Sequence, residues 1–339
     1  MWDLVLSDEQ SMIAETVGDY LARELPVERL RPGAKRTDTA QVRADMVALG
    51  LLGAGLPEEA GGAGLGLIEE VLIQRACGRH LASPSVLATV LAARVAFEAG
   101  DVELARMFVT GQRSAALAVL DADDATSDSV TCFVLDMDAG DLPLAWNDHG
   151  MGLFAQEALS EVRPDHCLDD SVAMHAGLLA MNHPTHWVPA TQAPLGLRAL
   201  VLLAARMAGL SEAACDLATE YAKVREQFGK PIGSFQAVKH RCADMLLRSR
   251  LCWYETTLAA LKVEALAPDM VLQARAAKLN AAHAAHENGR AVIQVHGGIG
   301  FHAECNAHWF MKRAHIYDQA GGAMLAQARR VIAEPAPLN

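Results

Sequence analysis

The sequence predicts a mainly α protein in three parts. These are an N-terminal helical domain over 1–112, a reduced middle β-domain over 113–192 and a C-terminal four-helix bundle over 193–339. Three observations lead there. Alanine-rich segments with apolar residues at helical spacing fill both ends of the chain. Near Gln112 the texture changes to short, partly alternating runs separated by polar turns. Hydrophobic residues make up 52 % of the chain and aromatic residues only 5 %, a mixture that favours packed helices over a large sandwich. A chain of 339 residues exceeds what one compact core usually holds, so subdomains are expected.

Ser7 with Gln10 reads as a capping box opening a helix to about Glu24. A loop with Pro32 and Gly33 follows, then a second helix over about Thr39 to Leu49. LGLLGAGLPEEAGGAGLG reads as a flexible glycine-rich loop, and GGAGLG lacks the spacing and the preceding strand of a dinucleotide fingerprint. Further helices run from about Leu67 to Gly111, broken near Pro84. SAALAVL, SVTCFVLDM, DLPLAWN and GLFAQEAL read as strands, and HPTHWVPATQAP as a Pro-rich linker closing the region.

From Leu195 the helical period returns, with Leu200, Leu203, Ala204, Met207, Leu210 and Ala214 on one stripe. This helix is expected to end at Phe228, where Gly229 can take a left-handed cap and Pro231 cannot continue the helix. Ser234 is the expected N-cap of the next helix, to about Val263. Pro268 and Asp269 open a third helix, ended by GGIGF at Gly297. A fourth covers about Ala303 to Tyr317, and a short last one follows Gly322. Short turns between four such helices make an antiparallel bundle.

The net charge of −12, from 29 basic and 41 acidic residues with no long basic run, argues against nucleic acid as the main partner. ALVLLAA is bracketed by Arg198 and Arg206 and is too short to span a bilayer, so no membrane segment is expected. The N-terminus lacks the basic start and apolar core of a signal peptide. Seven scattered cysteines without a CxxC pair suggest free, mostly buried thiols in a reducing cytoplasm. His283, His286, His296, His302, His308 and His315 read as surface or core histidines, because no third ligand sits at a readable metal spacing and no ExxH pair occurs. No metal site is expected.

The informative stretch is REQFGKPIGSFQAVKH, from Arg225 to His240. A turn between helices exposes backbone N–H groups that favour an anion. Arg225 adds a planar cation suited to phosphate, Phe228 can cover an aromatic ring, and Gln236 lies in the first turn of the next helix. A second corner, QVHGGIGF from Gln294 to Phe301, offers an amide and closely approachable backbone. Together they suggest a pocket for a nucleotide with phosphates; taken alone they are two interhelical turns.

The ordered set LGLLGAGLPEEAGGAGLG, YAKVREQFGKPIGSFQAVKHRCADM and QVHGGIGF followed by HIYD resembles the acyl-CoA dehydrogenase family. The resemblance covers most of the chain. It implies an α-domain, a β-domain and a four-helix bundle. It also implies a chemistry in which a carboxylate removes the proton α to a thioester carbonyl while the flavin of FAD takes hydride from the β-carbon. By the same resemblance Arg225, Phe228, Gln236, Gln294, Gly297 and Gly298 form the half of a shared site that holds the adenosine and pyrophosphate of an FAD bound mainly to a neighbouring subunit.

The chain departs from that family in three ways. The β region is short and lacks the threonine–glutamate–proline stretch and the later tryptophan motif; WNDHGMG and DADDATSD stand instead. The line that usually carries the catalytic glutamate reads IYDQAGG, so the matching carboxylate is Asp318, one methylene shorter. Setting a base back by about 1 Å can cost on the order of a hundredfold in rate. The alternative base position on the first bundle helix falls at Ala199, with Arg206 two turns on. The resemblance therefore implies a subunit of a heteromeric, α2β2-type dehydrogenase. Its partners would be a catalytic paralogue, an acyl-CoA and an electron-transfer flavoprotein or similar acceptor. Such split enzymes are associated with bulky thioesters, including steroid side chains. Two alternatives stay open: a homo-oligomeric dehydrogenase using Asp318, and a scaffold without flavin.

Overall fold

A computed structural model describes residues 3–34, 39–121 and 128–335. The chain is mainly helical, with one small sheet between two helical regions. Helix α1 (Asp8–Glu24) is opened by Ser7, whose side chain accepts from Gln10 N while Gln10 answers the Ser7 N–H, the expected capping box. Helices α2 (Thr39–Ala48), α3 (Leu67–Arg79), α4 (Pro84–Glu98) and α5 (Val102–Val109) complete the first region. The glycine-rich stretch before α3 is not the flexible loop expected. Leu51, Leu52, Ala54, Leu56 and Ala60 are buried, and Ala63 N and Leu65 N bond to Gly53 O and Ala54 O. Its glycines let the chain fold back on itself.

Seven strands follow: β1 (Ala115–Leu120), β2 (Ser129–Leu135), β3 (Leu142–Asn147), β4 (Gly150–Leu153), β5 (Leu159–Asp165), β6 (Met174–Ala180) and β7 (His186–Pro189). They form one sheet in the order β5-β6-β2-β1-β3-β4-β7. Only the β1–β3 pair is parallel. Leu117 and Val119 of β1 belong to the main core with α4, and Ala116 and Ala118 to a second core on the other face. This is the two-sided alternation of a covered sheet. The supposed linker HPTHWVPATQAP contains β7, an edge strand on β4, where proline is tolerated. Most of DADDATSD lies outside the described residues.

The last region comprises α6 (Leu195–Val224), α7 (Gln236–Glu264), α8 (Met270–His296), α9 (Ala307–Gln319) and α10 (Met324–Ala333). Helix α6 is buried on every side from Ala199 to Ser211, not along one stripe, because α3 packs on the face that the bundle leaves free. Gly78 permits this approach: a Cβ there would meet the Arg206 carbonyl oxygen at 2.0 Å. Arg75 and Arg79 of α3 tie to Glu212 at 2.7 and 3.0 Å. Helix α6 ends at Val224, four residues before the expected Phe228. Phe235, not Ser234, is the N-cap of α7, with no side-chain cap bond. Helix α9 begins at Ala307, after a short 3-10 turn over Gly297–Phe301. All seven cysteines are free and five are buried. No helix among the described residues is long and apolar enough to cross a membrane.

Candidate functional site

Past Val224 the chain makes a two-residue ribbon, β8 (Glu226–Gln227) against β9 (Lys230–Pro231). Phe228 and Gly229 form its tip with φ of +54° and +76°. Two consecutive positive φ values are the signature of a type I′ hairpin, so Gly229 takes the left-handed conformation as a turn residue and not as a helix cap. A phenylalanine there is strained, and the tip holds its ring 91 % exposed. Lys230 Nζ lies 4.5 Å above the Phe235 ring, and Phe228 meets the same ring edge-on at 6.1 Å. Arg225 caps α6, its N–H donating to Tyr221 O at 2.9 Å. Its exposed guanidinium makes no hydrogen bond among the described residues. Gln236 is the exposed first residue of α7.

The second corner stands beside the first. Tyr221, one turn before Arg225, stacks on His296, one residue before Gly297, with ring centroids 4.0 Å apart and planes at 20°. Burial lowers the His296 pKa, and its Nδ1 lies 2.8 Å from Val292 O. Gln294, Gly297 and Gly298 are exposed. Gly297 has φ +65°, and a Cβ on either glycine would meet nothing within 4 Å. The α6 and α8 ends thus present a cation, amides and open backbone on one end of the bundle, a donor set suited to pyrophosphate.

Asp318 is differently placed. It is buried in the last turn of α9. Its Oδ1 accepts from Met324 N at 3.0 Å and lies 3.7 Å from Lys278 Nζ, while Oδ2 lies 3.4 Å from His286 Nε2. Lys278 is fully buried and donates to Asp318 O and Gly322 O at 2.8 and 3.2 Å. Burial would raise Asp318, but His286 and Lys278 outweigh it and hold the carboxyl below its usual range. Burial pulls Lys278 down to about 8 against the Asp318 charge, which raises it. Asp318 and Lys278 form a buried ion pair, with His286 beside the carboxylate.

The corner between α9 and α10 reads Ala-Gly-Gly-Ala, so its two central residues bear no side chain. Gly321 has φ +71°, and a Cβ there would come within 2.8 Å of Leu200 Cδ2 and 3.3 Å of Trp146 Cζ2. Trp146 of β3 therefore covers the corner. The neighbouring Asp148 is gripped by Arg275 and Arg330, both at 3.2 Å. Ala199 is wholly buried. Arg206, also wholly buried, donates to Gln74 Oε1 at 2.7 Å, Ser83 O at 3.0 Å and the Tyr317 hydroxyl at 2.7 Å. It fills the space between α3, α6 and α9. Sequence reasoning missed Trp146 and Gly321; the only local signal was the Gly321–Gly322 pair itself. No cluster of histidine, cysteine and carboxylate able to hold a metal occurs among the described residues.

Two family models match: the acyl-CoA dehydrogenase N-terminal domain over residues 7–111 and the C-terminal domain over 198–334. Acyl-CoA dehydrogenase FadE34 of Mycobacterium tuberculosis is 34 % identical over 286 residues, 81 % of this chain but only 39 % of FadE34. Acyl-CoA dehydrogenase IpdE2 of the same organism is 30 % identical over 332 residues, 96 % of this chain and 95 % of IpdE2. Among solved structures, the ChsE4-ChsE5 complex of M. tuberculosis matches with TM-score 0.82 at 24 % identity, over 99 % of this chain and 100 % of that one. The Tcur3481-Tcur3483 steroid ACAD, a G363A variant, matches with TM-score 0.81 at 26 % identity, over 96 % of each chain. With IpdE2 matched along nearly its whole length and both domain models in order, this chain belongs to the acyl-CoA dehydrogenase family.

Proposed function

We propose that this chain is the smaller subunit of a heteromeric acyl-CoA dehydrogenase and contributes the adenosine and pyrophosphate half of an FAD site completed by a catalytic paralogue. One observation carries the reading. The two motif corners are open and adjoin through the Tyr221–His296 stack, whereas the corner after α9 is bare at Gly321 and covered by Trp146.

Arg225, Phe228, Gln236, Gln294, Gly297 and Gly298 would hold the cofactor. The guanidinium suits bidentate contact with phosphate oxygens, the amides suit an adenine edge, and the glycines admit close backbone approach. FAD, when bound, supplies the hydride acceptor for α,β-dehydrogenation of an acyl-CoA thioester. This chain's residues bind and orient its nucleotide end. The base, the flavin-ring contacts and the thioester site belong to the partner. Asp318 serves as counter-ion to Lys278. A bulky, steroid-type acyl group fits the likeness to a protein described as a steroid ACAD. An electron-transfer flavoprotein is the natural acceptor for reduced FAD.

The test is to produce the chain alone and with a paralogue carrying the glutamate base and complete flavin-ring motifs, then count FAD per protomer and assay turnover. The chain alone should hold little FAD and show no dehydrogenation, and the pair should do both. Stoichiometric FAD with turnover by the lone chain would replace this reading with the homo-oligomeric one.

A further inference from the structure

A cavity of about 980 Å³ lies between the loop after α1, the start of α4, the ends of β2 and β6, and α9. It is separate from both sites above: neither Asp318 nor any residue of the two corners up to Gly298 lines it. The volume is that of a small-molecule site. Met46, Leu52, Val86 and Trp309 supply apolar wall.

Two groups in the wall want an acceptor or a donor. Trp309 and His308 are 6 % and 8 % exposed, and the indole Nε1 and both imidazole nitrogens have no hydrogen-bond partner. A buried indole N–H without an acceptor is a standing cost.

The cations in the wall differ in their pairing. Lys312 pairs with Asp170 at 2.8 Å and Arg313 with Asp169 at 2.5 Å. Arg31 lies 3.7 Å from Glu28, and Arg43 donates to Ser114 Oγ at 2.8 Å. Arg29 donates only to carbonyls: Leu25 O and Pro26 O at 3.0 Å and Leu81 O at 2.8 Å. It has no carboxylate within ion-pair distance among the described residues. Arg313 donates to the same Leu81 carbonyl at 3.1 Å. Two guanidiniums therefore converge on the Leu81 carbonyl, and the carboxylate of Asp169 is ion-paired with Arg313. Burial and the Arg313 charge pull Arg29 down to about 10, as expected of an undercompensated cation. Three of its five N–H groups are held in place, and the remaining two are free for a ligand.

The acids of the wall limit that ligand. Asp136 is engaged by Ser83 Oγ at 2.5 Å and Ala173 N at 2.9 Å, and Asp138 lies beside it in sequence. This end repels a second anionic group.

We propose that the cavity binds an apolar monocarboxylate, with its carboxylate on Arg29 and its hydrocarbon body against Val86, Met46 and Leu52. Decanoate is the probe, titrated calorimetrically into the full chain and into Arg29→Gln, Arg29→Lys and Val86→Phe. Saturable binding is expected in the parent. Arg29→Gln should weaken it ten- to a hundredfold, the effect of one charge-assisted contact, and Arg29→Lys should recover part. Val86→Phe narrows the cavity from the apolar side and should also abolish or sharply weaken binding, which keeps the test informative if Arg29→Gln fails to fold. No saturable binding by millimolar decanoate, or binding that Val86→Phe and Arg29→Gln both leave unchanged, overturns the proposal. The titration needs neither FAD nor partner, so its failure leaves the shared FAD site untouched.

Discussion

Replacing Asp318 by asparagine separates a structural role from a catalytic one. Asparagine keeps the shape and can still accept from Met324 N, but it removes the charge facing Lys278. The ammonium is fully buried, and Oδ1 of Asp318 is its carboxylate partner at 3.7 Å. Breaking a buried pair by removing one partner costs about 3–5 kcal/mol. At about 2.1 cal/mol/K per residue, a chain this long melts with an entropy of roughly 0.7 kcal/mol/K, so the melting temperature should fall by about 4–7 °C. The deficit has a pH signature. Lys278 titrates near 8 in the folded chain and higher when unfolded. Between those values the unfolded chain binds more protons, so stability rises with pH. Without Asp318 the lysine is depressed further, and the variant's deficit should shrink as pH is raised from 7 towards 10. Adding Lys278→Met to Asp318→Asn should cost about 1–3 kcal/mol less than the two single losses together. Thermal melts over this pH range, with turnover of the assembled complex, make the assay. A variant as stable as the parent but with turnover down a hundredfold or more would refute the reasoning and make Asp318 the base.

In the assembled complex Arg225→Ala should weaken FAD binding about ten- to a hundredfold, and Arg225→Lys should restore part of it. FAD titration with assembly checked by sedimentation measures this, and an unchanged affinity would reduce the corner to a turn. Phe228→Gly relieves a positive φ on a non-glycine residue, so the lone chain should gain up to about 1 kcal/mol in a denaturant melt. The same change should lower FAD affinity in the complex, and equal affinity would clear the ring of a cofactor role. Gly321→Glu puts a Cβ against Leu200 and Trp146 at positive φ and should destabilise by about 2–5 kcal/mol. It should confer no dehydrogenation on the lone chain, and measurable turnover of an acyl-CoA would contradict the covered corner.

Local chemistry by itself determined much of this protein. The capping box at Ser7, the stop at Gly297 and the helical period of α6 are set by residues within one or two turns of each other, where backbone partners are near neighbours. The position of both interhelical corners was legible for the same reason, since glycine and proline punctuate a helical pattern. Tertiary structure decided the rest. Helix α6 stops at Val224 because Glu226–Gln227 pairs with Lys230–Pro231 over a tip that forces Phe228 into positive φ, a conformation no propensity assigns to phenylalanine. HWVP became a strand only because β4 offers it an edge. That Lys278, 40 residues earlier, lies beside Asp318 was not legible in the sequence. Trp146 closes the Gly321 corner from another layer of the fold, and the Tyr221–His296 stack joins two corners far apart in the chain. In each case the deciding partner is remote in sequence and is brought near only by burial of the common core.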